Sequence, residues 1–159
     1  MQKMGEMRKI RIQLRPYHPT YLIGYYGMGG HPESYNSKGF NDLIEKIRNN
    51  PDIEVQFVKG FDDICRKCSR LIPDERGSIW GQQHRCSSSE NEQLVREIHQ
   101  VNRKVLDLLG LDYGSVISPK DLVNLLKQRI PFLFSDLIGG ADFQKQYEKG
   151  LAEISNLWK

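Results

Sequence analysis

Two short stretches with strand periodicity flank one amphipathic helix, and this order constrains the fold more than any other feature of the chain. Residues 9–15 (KIRIQLR) and 53–59 (IEVQFVK) alternate polar and apolar side chains, which is the period of a half-buried strand. Between them, apolar residues recur at helical spacing, namely Phe40, Leu43, Ile44 and Ile47. This order predicts a crossover unit in which the strands are parallel if they are neighbours in one sheet.

The C-terminal half carries helix signals. Residues 89–92 (SENE) form a capping box before a long apolar stripe that Gly110 ends, and residues 118–119 (Ser-Pro) open a further helix that Pro131 closes. One apolar face marks a terminal helix, formed by Phe143, Tyr147, Leu151, Ile154 and Trp158. We therefore predict an α+β fold with a small sheet that contains the strand-helix-strand unit, an irregular cysteine-containing loop and a helical C-terminal half.

The length of 159 residues indicates a single domain over residues 1–159. A chain of this size buries roughly 70% of its unfolded surface, so it needs no metal or disulfide merely to fold. We expect residues 1–7 to be flexible and residues 131–159 to form a C-terminal helical extension. The net charge of +3, with both signs interspersed, does not favour nucleic acid as a partner. The chain shows neither a membrane-length apolar stretch nor the apolar centre of a signal peptide, and we expect a cytoplasmic protein.

All three cysteines fall within residues 60–89, a segment without sustained hydrophobic periodicity. Cys65 and Cys68 form a C-x-x-C pair, and Cys86 follows after seventeen intervening residues. Loops longer than about 12–15 residues are uncommon unless they are functional or held by something else. Because a C-x-x-C turn can direct two thiolates to one metal ion, the spacing predicts a metal site.

A fourth ligand is needed to complete such a site. His84 is the nearest candidate in sequence, and it would give a set of three cysteines and one histidine. Basic residues in the same segment would offset the thiolate charge, namely Arg66, Lys67, Arg70 and Arg85. Two other interpretations stay open at this point, which are free thiols in a loop and a thiol–disulfide couple.

Four motifs in order resemble one known family. They are L-R-P-Y-H at residues 14–18, G-Y-Y-G-M-G at 24–29, N-P-D at 50–52 and D-D-I-C-x-x-C at 62–68. The chain resembles the bacterial and archaeal family called domain of unknown function 1284, with matching order and spacing over residues 9–126. That family has no established activity and is suspected of binding an iron–sulfur cluster through four cysteines.

The resemblance implies Cys65, Cys68 and Cys86 as three of the four cluster ligands. Aligning the family's L-R-P-H-H-L-L-C with residues 14–21 puts Tyr21 at the position of the remaining cysteine, while His18 is kept. Iron–sulfur clusters usually take four thiolates, whereas tetrahedral zinc accepts three cysteines and one histidine. An iron–sulfur cluster is the expected cofactor and zinc the alternative, with His18 and His84 as rival fourth ligands.

Two further groups of residues could carry a function. The glycines of residues 24–30 are typical of a plain loop, and such a turn can also present backbone N–H groups to phosphate. His18 and His31 with Asp62 and Asp63 would form an acid–base or carboxylate–histidine metal site if the fold brought them together.

Three functions follow as hypotheses. The first is an uncharacterised cytoplasmic metal-binding protein with a redox, sensing or structural role and a redox or protein partner. The second is a protein- or nucleic-acid-interaction module with a structural or decayed metal site, whose terminal helix docks a partner or a second copy as a homodimer. The third is a thiol-dependent enzyme.

Overall fold

The computed structural model describes residues 10–27, 29, 37–59, 62–64, 71–73, 84–86, 92–131 and 140–158. Three strands form one sheet in the order β1-β2-β5, and they are β1 (Arg11–Leu14), β2 (Glu54–Phe57) and β5 (Val116–Ile117). Strand β1 pairs with β2 in parallel, and β2 pairs with β5 in antiparallel orientation. The parallel pair confirms the predicted crossover unit, whereas β5 was not expected from the sequence.

Five α-helices lie in the described part of the chain. They are α1 (His18–Gly27), α2 (Ser37–Asn49), α3 (Glu92–Leu109), α4 (Pro119–Arg129) and α5 (Gly140–Glu153), the last followed by a 3-10 helix (Ile154–Trp158). The helical C-terminal half is therefore confirmed. None of the helices in these described ranges has the length and hydrophobicity needed to cross a membrane.

Local capping chemistry fixes the ends of α3 and α4. The Ser118 hydroxyl accepts the N–H of Asp121 at 3.1 Å, and Pro119 occupies the first turn, where its missing N–H costs nothing. Gly110 follows α3 with a φ of +69°, a left-handed conformation that favours glycine. The predicted capping box at residues 89–92 lies partly outside the described residues.

The core forms between the sheet and the helices. Alternate residues of β1 and β2 are buried, and Ile12, Leu14 and Val55 share one apolar space with Leu122 and Leu126 of α4. This alternation is the predicted half-buried pattern, except that Ile10, immediately before β1, is 43% exposed.

The sequence predicts that α3 buries a stripe formed by Leu94, Ile98, Val101, Val105 and Leu108, and the observed buried face differs from it. Leu108 is 39% exposed, whereas Asn102, Val105, Leu106 and Leu109 are buried. These four residues have the spacing of one helical face. The face that α3 buries is therefore rotated slightly relative to the predicted stripe.

The glycines predicted to form a loop instead belong to helix α1, which packs against α5. A Cβ on Gly150 would lie 2.8 Å from the carbonyl carbon of Ile23, and a Cβ on Gly27 would lie 2.8 Å from the backbone N of Gly150. Glycines at these positions allow the backbones of the two helices to approach closely. The loop prediction is therefore wrong for residues 24–27, which belong to α1.

The cysteine segment contains a short strand pair that the sequence did not reveal. Strands β3 (Leu71–Pro73) and β4 (His84–Cys86) are antiparallel, with Leu71 opposite Cys86 and Pro73 opposite His84. Each strand has only three residues, too few for a period of two to stand out in the sequence.

Candidate functional site

A buried histidine, His18, is the first residue of α1, just after the turn that follows β1. Residues 15–17 turn the chain, and the backbone N–H of His18 donates to the carbonyl of Arg15 at 3.0 Å. The His18 side chain is 3% exposed, and its Nδ1 is hydrogen-bonded to Oδ2 of Asp62, whose side chain is fully buried. A neutral imidazole that donates from Nδ1 to a carboxylate carries its lone pair on Nε2.

Asp62 and its neighbour Asp63 line the outer edge of β1. Oδ2 of Asp62 also accepts the backbone N–H of Arg15 at 2.7 Å. Oδ2 of Asp63 accepts the N–H of Gln13 at 2.8 Å, and the N–H of Asp63 donates to the Gln13 carbonyl at 3.0 Å. These bonds fix the position of Asp62 relative to His18 through the backbone of the strand.

Aromatic rings and one buried amide surround the pair. The ring of Tyr17 lies 4.4 Å from the ring of His18, centroid to centroid, and Tyr21 meets Tyr17 edge-on at 5.4 Å. The backbone N–H of Tyr17 donates to Oδ1 of the fully buried Asn102 at 3.1 Å. Helix α3 is thereby bound to the turn that carries His18.

Basic groups gather on the α3 side of this region. Burial lowers the pKa of His99, and the positive charges of Lys59 and Arg15 lower it further. Burial raises the pKa of Tyr113, while Arg103 and Arg15 act in the opposite direction. Arg15 and Lys59 follow the last residues of the parallel strands β1 and β2, and the carboxyl end of a parallel sheet is where ligands commonly bind.

Comparison with known proteins gives one family match. The family model described as protein of unknown function (DUF1284) matches residues 33–145, more than two thirds of the chain. The chain belongs to the DUF1284 family. No curated protein and no solved structure matches it.

The DUF1284 match includes all three cysteines and confirms the family resemblance. It extends beyond residue 126 and begins after His18 and Tyr21. The alignment of Tyr21 with a family cysteine therefore stays a prediction.

The structure brings together some of the predicted site residues of this DUF1284 protein. His18 and Asp62 are paired, as the carboxylate–histidine hypothesis requires, whereas Asp63 bonds to Gln13 instead. Cys65, Cys68 and His31 lie outside the described residues, and so do the side chains of His84 and Cys86. Within the ranges that are described, no three histidine, cysteine or acidic side chains form a group that would hold a metal ion.

Several residues of the site were missed by sequence reasoning. Asn102 was not singled out, although it interrupts the apolar face of α3 and a buried amide there needs a partner. Nothing in the local sequence around His99 or Lys59 marks either residue as part of a site. Only the pairing of β1 with β2 brings these groups to one end of the sheet.

Proposed function

We propose that this DUF1284 protein binds a metal centre through Cys65, Cys68, Cys86 and Nε2 of His18. The observation that carries the proposal is the buried bond between His18 and Asp62, because Asp62 stands three residues before Cys65 in the chain. Three residues span at most about 11 Å, which keeps the first cysteine within reach of the imidazole.

The His18–Asp62 pair fits the chemistry of a metal ligand. Histidines that bind metal ions usually donate their other ring N–H to a carboxylate or carbonyl, which fixes the tautomer and increases the basicity of the ligating nitrogen. In this chain Nδ1 is engaged by the carboxylate of Asp62, so Nε2 is the ring nitrogen left to bind a metal ion.

The β3–β4 pair supports the inclusion of Cys86. Cys86 is opposite Leu71, which follows Cys68 by three residues. Opposed residues of antiparallel strands have Cα atoms about 4.5–5.5 Å apart, so the pairing returns the chain toward the C-x-x-C pair. The third cysteine is thus within a short chain length of the first two.

The donor set suits two kinds of centre. Three thiolates and one imidazole complete a tetrahedral zinc site, which would hold the segment after Ile64 in a structural role. An iron–sulfur cluster would supply one-electron chemistry for a redox or sensing role, with His18 in place of the usual fourth cysteine. His18 is preferred to His84 as the fourth ligand because the fold supplies the carboxylate partner of its Nδ1.

The test is metal analysis and an absorption spectrum on the full chain purified without oxygen. We expect one centre per chain, recognised as iron with inorganic sulfide and visible absorption, or as zinc without absorption. His18→Ala should lose the metal, whereas the control His84→Ala should retain it. Substoichiometric iron and zinc in the unmodified chain would refute the proposal, and loss of metal only in His84→Ala would refute the assignment of His18.

The same buried pair favours a second candidate, a thiol-dependent enzyme. An imidazole oriented by a carboxylate through Nδ1 can accept a proton at Nε2 from a cysteine thiol, which leaves a nucleophilic thiolate. This function requires metal-free protein in which Cys65 reacts rapidly with iodoacetamide near neutral pH. His18→Ala should slow that alkylation, whereas equal rates in the two proteins would argue against the enzyme.

A further inference from the structure

Asn102 has one half of its amide without a hydrogen-bond partner. Its Oδ1 accepts the N–H of Tyr17, which fixes the orientation of the carboxamide. The residue is fully buried, and its Nδ2 has no acceptor in the described part of the chain. Buried donors in proteins are almost always satisfied, so this nitrogen indicates a place for an acceptor that is not part of the described protein.

Two positively charged side chains lie near His99, a neighbour of this amide on α3. His99 lies one turn before Asn102 on α3, and residues three apart on a helix are neighbours on its surface. Lys59 and Arg15 are close enough to His99 for their charges to lower its pKa. The cluster, defined as Arg15, Lys59, His99 and Asn102, therefore combines residues from the ends of two strands with one helix face.

The acidic residues nearby are engaged elsewhere. Asp62 accepts from His18 and from the N–H of Arg15, and Asp63 accepts from the N–H of Gln13. On the other side, Asp112 accepts from Arg103 at 2.9 Å. These contacts direct the nearby carboxylates to partners other than the Asn102 amide, which leaves its donor available to an external anion.

We propose that the cluster binds a small oxyanion of the phosphate or carboxylate type. One oxygen of the anion accepts from Nδ2 of Asn102, and Arg15 and Lys59 supply the opposite charge. Charge-assisted hydrogen bonds of this kind are about twice as strong as neutral ones, and the carboxyl end of parallel strands is a common place for such ligands. The site lies next to His18, because the N–H of the adjacent Tyr17 donates to Asn102, but it uses none of the side chains proposed to ligate the metal.

The experiment titrates the full chain with inorganic phosphate and with malonate, at constant ionic strength maintained with chloride. Binding is read from calorimetry and from the rise in unfolding temperature with anion concentration. Asn102→Asp keeps an oxygen for the N–H of Tyr17 but replaces the donor with a negative charge. We expect its affinity for the anion to fall by about tenfold or more.

Matched controls separate this effect from net charge. Asn124→Asp makes the same change at an exposed position of α4 and should bind the anion like the unmodified chain. Lys59→Gln should weaken binding, while Lys120→Gln, which removes an exposed lysine from α4, should not. If Asn102→Asp does not fold, the comparison of the two lysine variants decides.

Each result of the anion titrations either supports or overturns the proposed site. Binding of phosphate alone or of malonate alone supports the site and tells which oxyanion it takes. No binding of either anion beyond that of chloride overturns the proposal, and so does equal affinity in Asn102→Asp and Asn124→Asp. Metal content measured on the same samples tests the metal centre separately, because anion binding is expected whether or not metal is present.

Discussion

Replacing Asp62 by Asn tests whether its carboxylate prepares His18 for a metal ion. An amide oxygen in the place of Oδ2 can still accept from Arg15 N–H and from Nδ1 of His18, so the geometry of the pair should be kept. The negative charge that makes Nε2 a more basic ligand is lost. The variant therefore isolates the electrostatic contribution of Asp62 to metal binding.

The expected loss follows from the position of Asp62 in the site. It contacts the proposed ligand directly and is fully buried, so water cannot replace its charge. Loss of such a partner typically lowers metal affinity by about 10- to 100-fold. That range corresponds to about 1.4–2.7 kcal/mol of binding free energy.

The adjacent residue provides a matched control for this variant. Asp63→Asn removes the same charge one position away, where the carboxylate bonds to the N–H of Gln13 and not to His18. Zinc affinity of the reconstituted proteins, measured by competition with a chromophoric chelator, should fall in Asp62→Asn and stay near the original value in Asp63→Asn. Equal affinities in the two variants would refute the role of Asp62, provided that urea unfolding shows both to be folded.

Three further predictions concern the helices. Tyr21→Cys adds a thiol on α1 three residues after His18, and residues three apart share a helix face. We expect this variant to take up more iron–sulfur cluster in reconstitution, and unchanged loading would contradict the family alignment. Gly150→Ala should lower the free energy of unfolding by about 1–3 kcal/mol, because the added Cβ overpacks against α1. Gly39→Ala should lower it less, because the nearest atom is 3.0 Å from the added Cβ. Equal urea midpoints for the two variants would contradict this prediction. Tyr147 is buried, which raises its pKa, and its hydroxyl donates to a backbone carbonyl at 2.7 Å. Because this tyrosine ionises at lower pH in the unfolded chain than in the folded one, the free energy of unfolding should fall as pH rises above about 10. In urea unfolding, Tyr147→Phe should show a shallower fall with pH and a loss of about 1–3 kcal/mol near neutral pH. An equally steep fall in the variant would contradict the argument.

Local chemistry explains why part of the fold is readable from the sequence. The alternation of β1 and β2 reflects one buried face, and Ser118 caps α4 through a bond to a residue three positions away. Helix α1 was missed because Gly24 and Gly27 lower helix propensity. The benefit of these glycines lies in contact with α5, more than one hundred residues later, which no local pattern reveals.

The candidate site, like the fold, is only partly predictable from local sequence. The sequence suggests a pairing of histidine with an aspartate, but it cannot choose between Asp62 and Asp63. The choice depends on which carboxylate meets His18, a residue 44 positions earlier, once residues 62–63 lie along the edge of β1. Asn102 interrupts an apolar helix face, but the sequence does not show which backbone group its amide meets. Lys59 carries no local signal, because it meets α3 only at the end of β2.

The bonds around Asp62 suggest how the proposed centre is organised before metal binds. Asp62 and Asp63 bond to backbone groups of Gln13 and Arg15, so the segment that leads to Cys65 is attached to the sheet through main-chain atoms. Ile64, the next residue, is fully buried and reinforces this attachment. His18 is therefore positioned by the fold and not by the metal. No part of the free energy of metal binding is then needed to position this proposed ligand, whereas a ligand on an unsupported loop would have to be fixed in place.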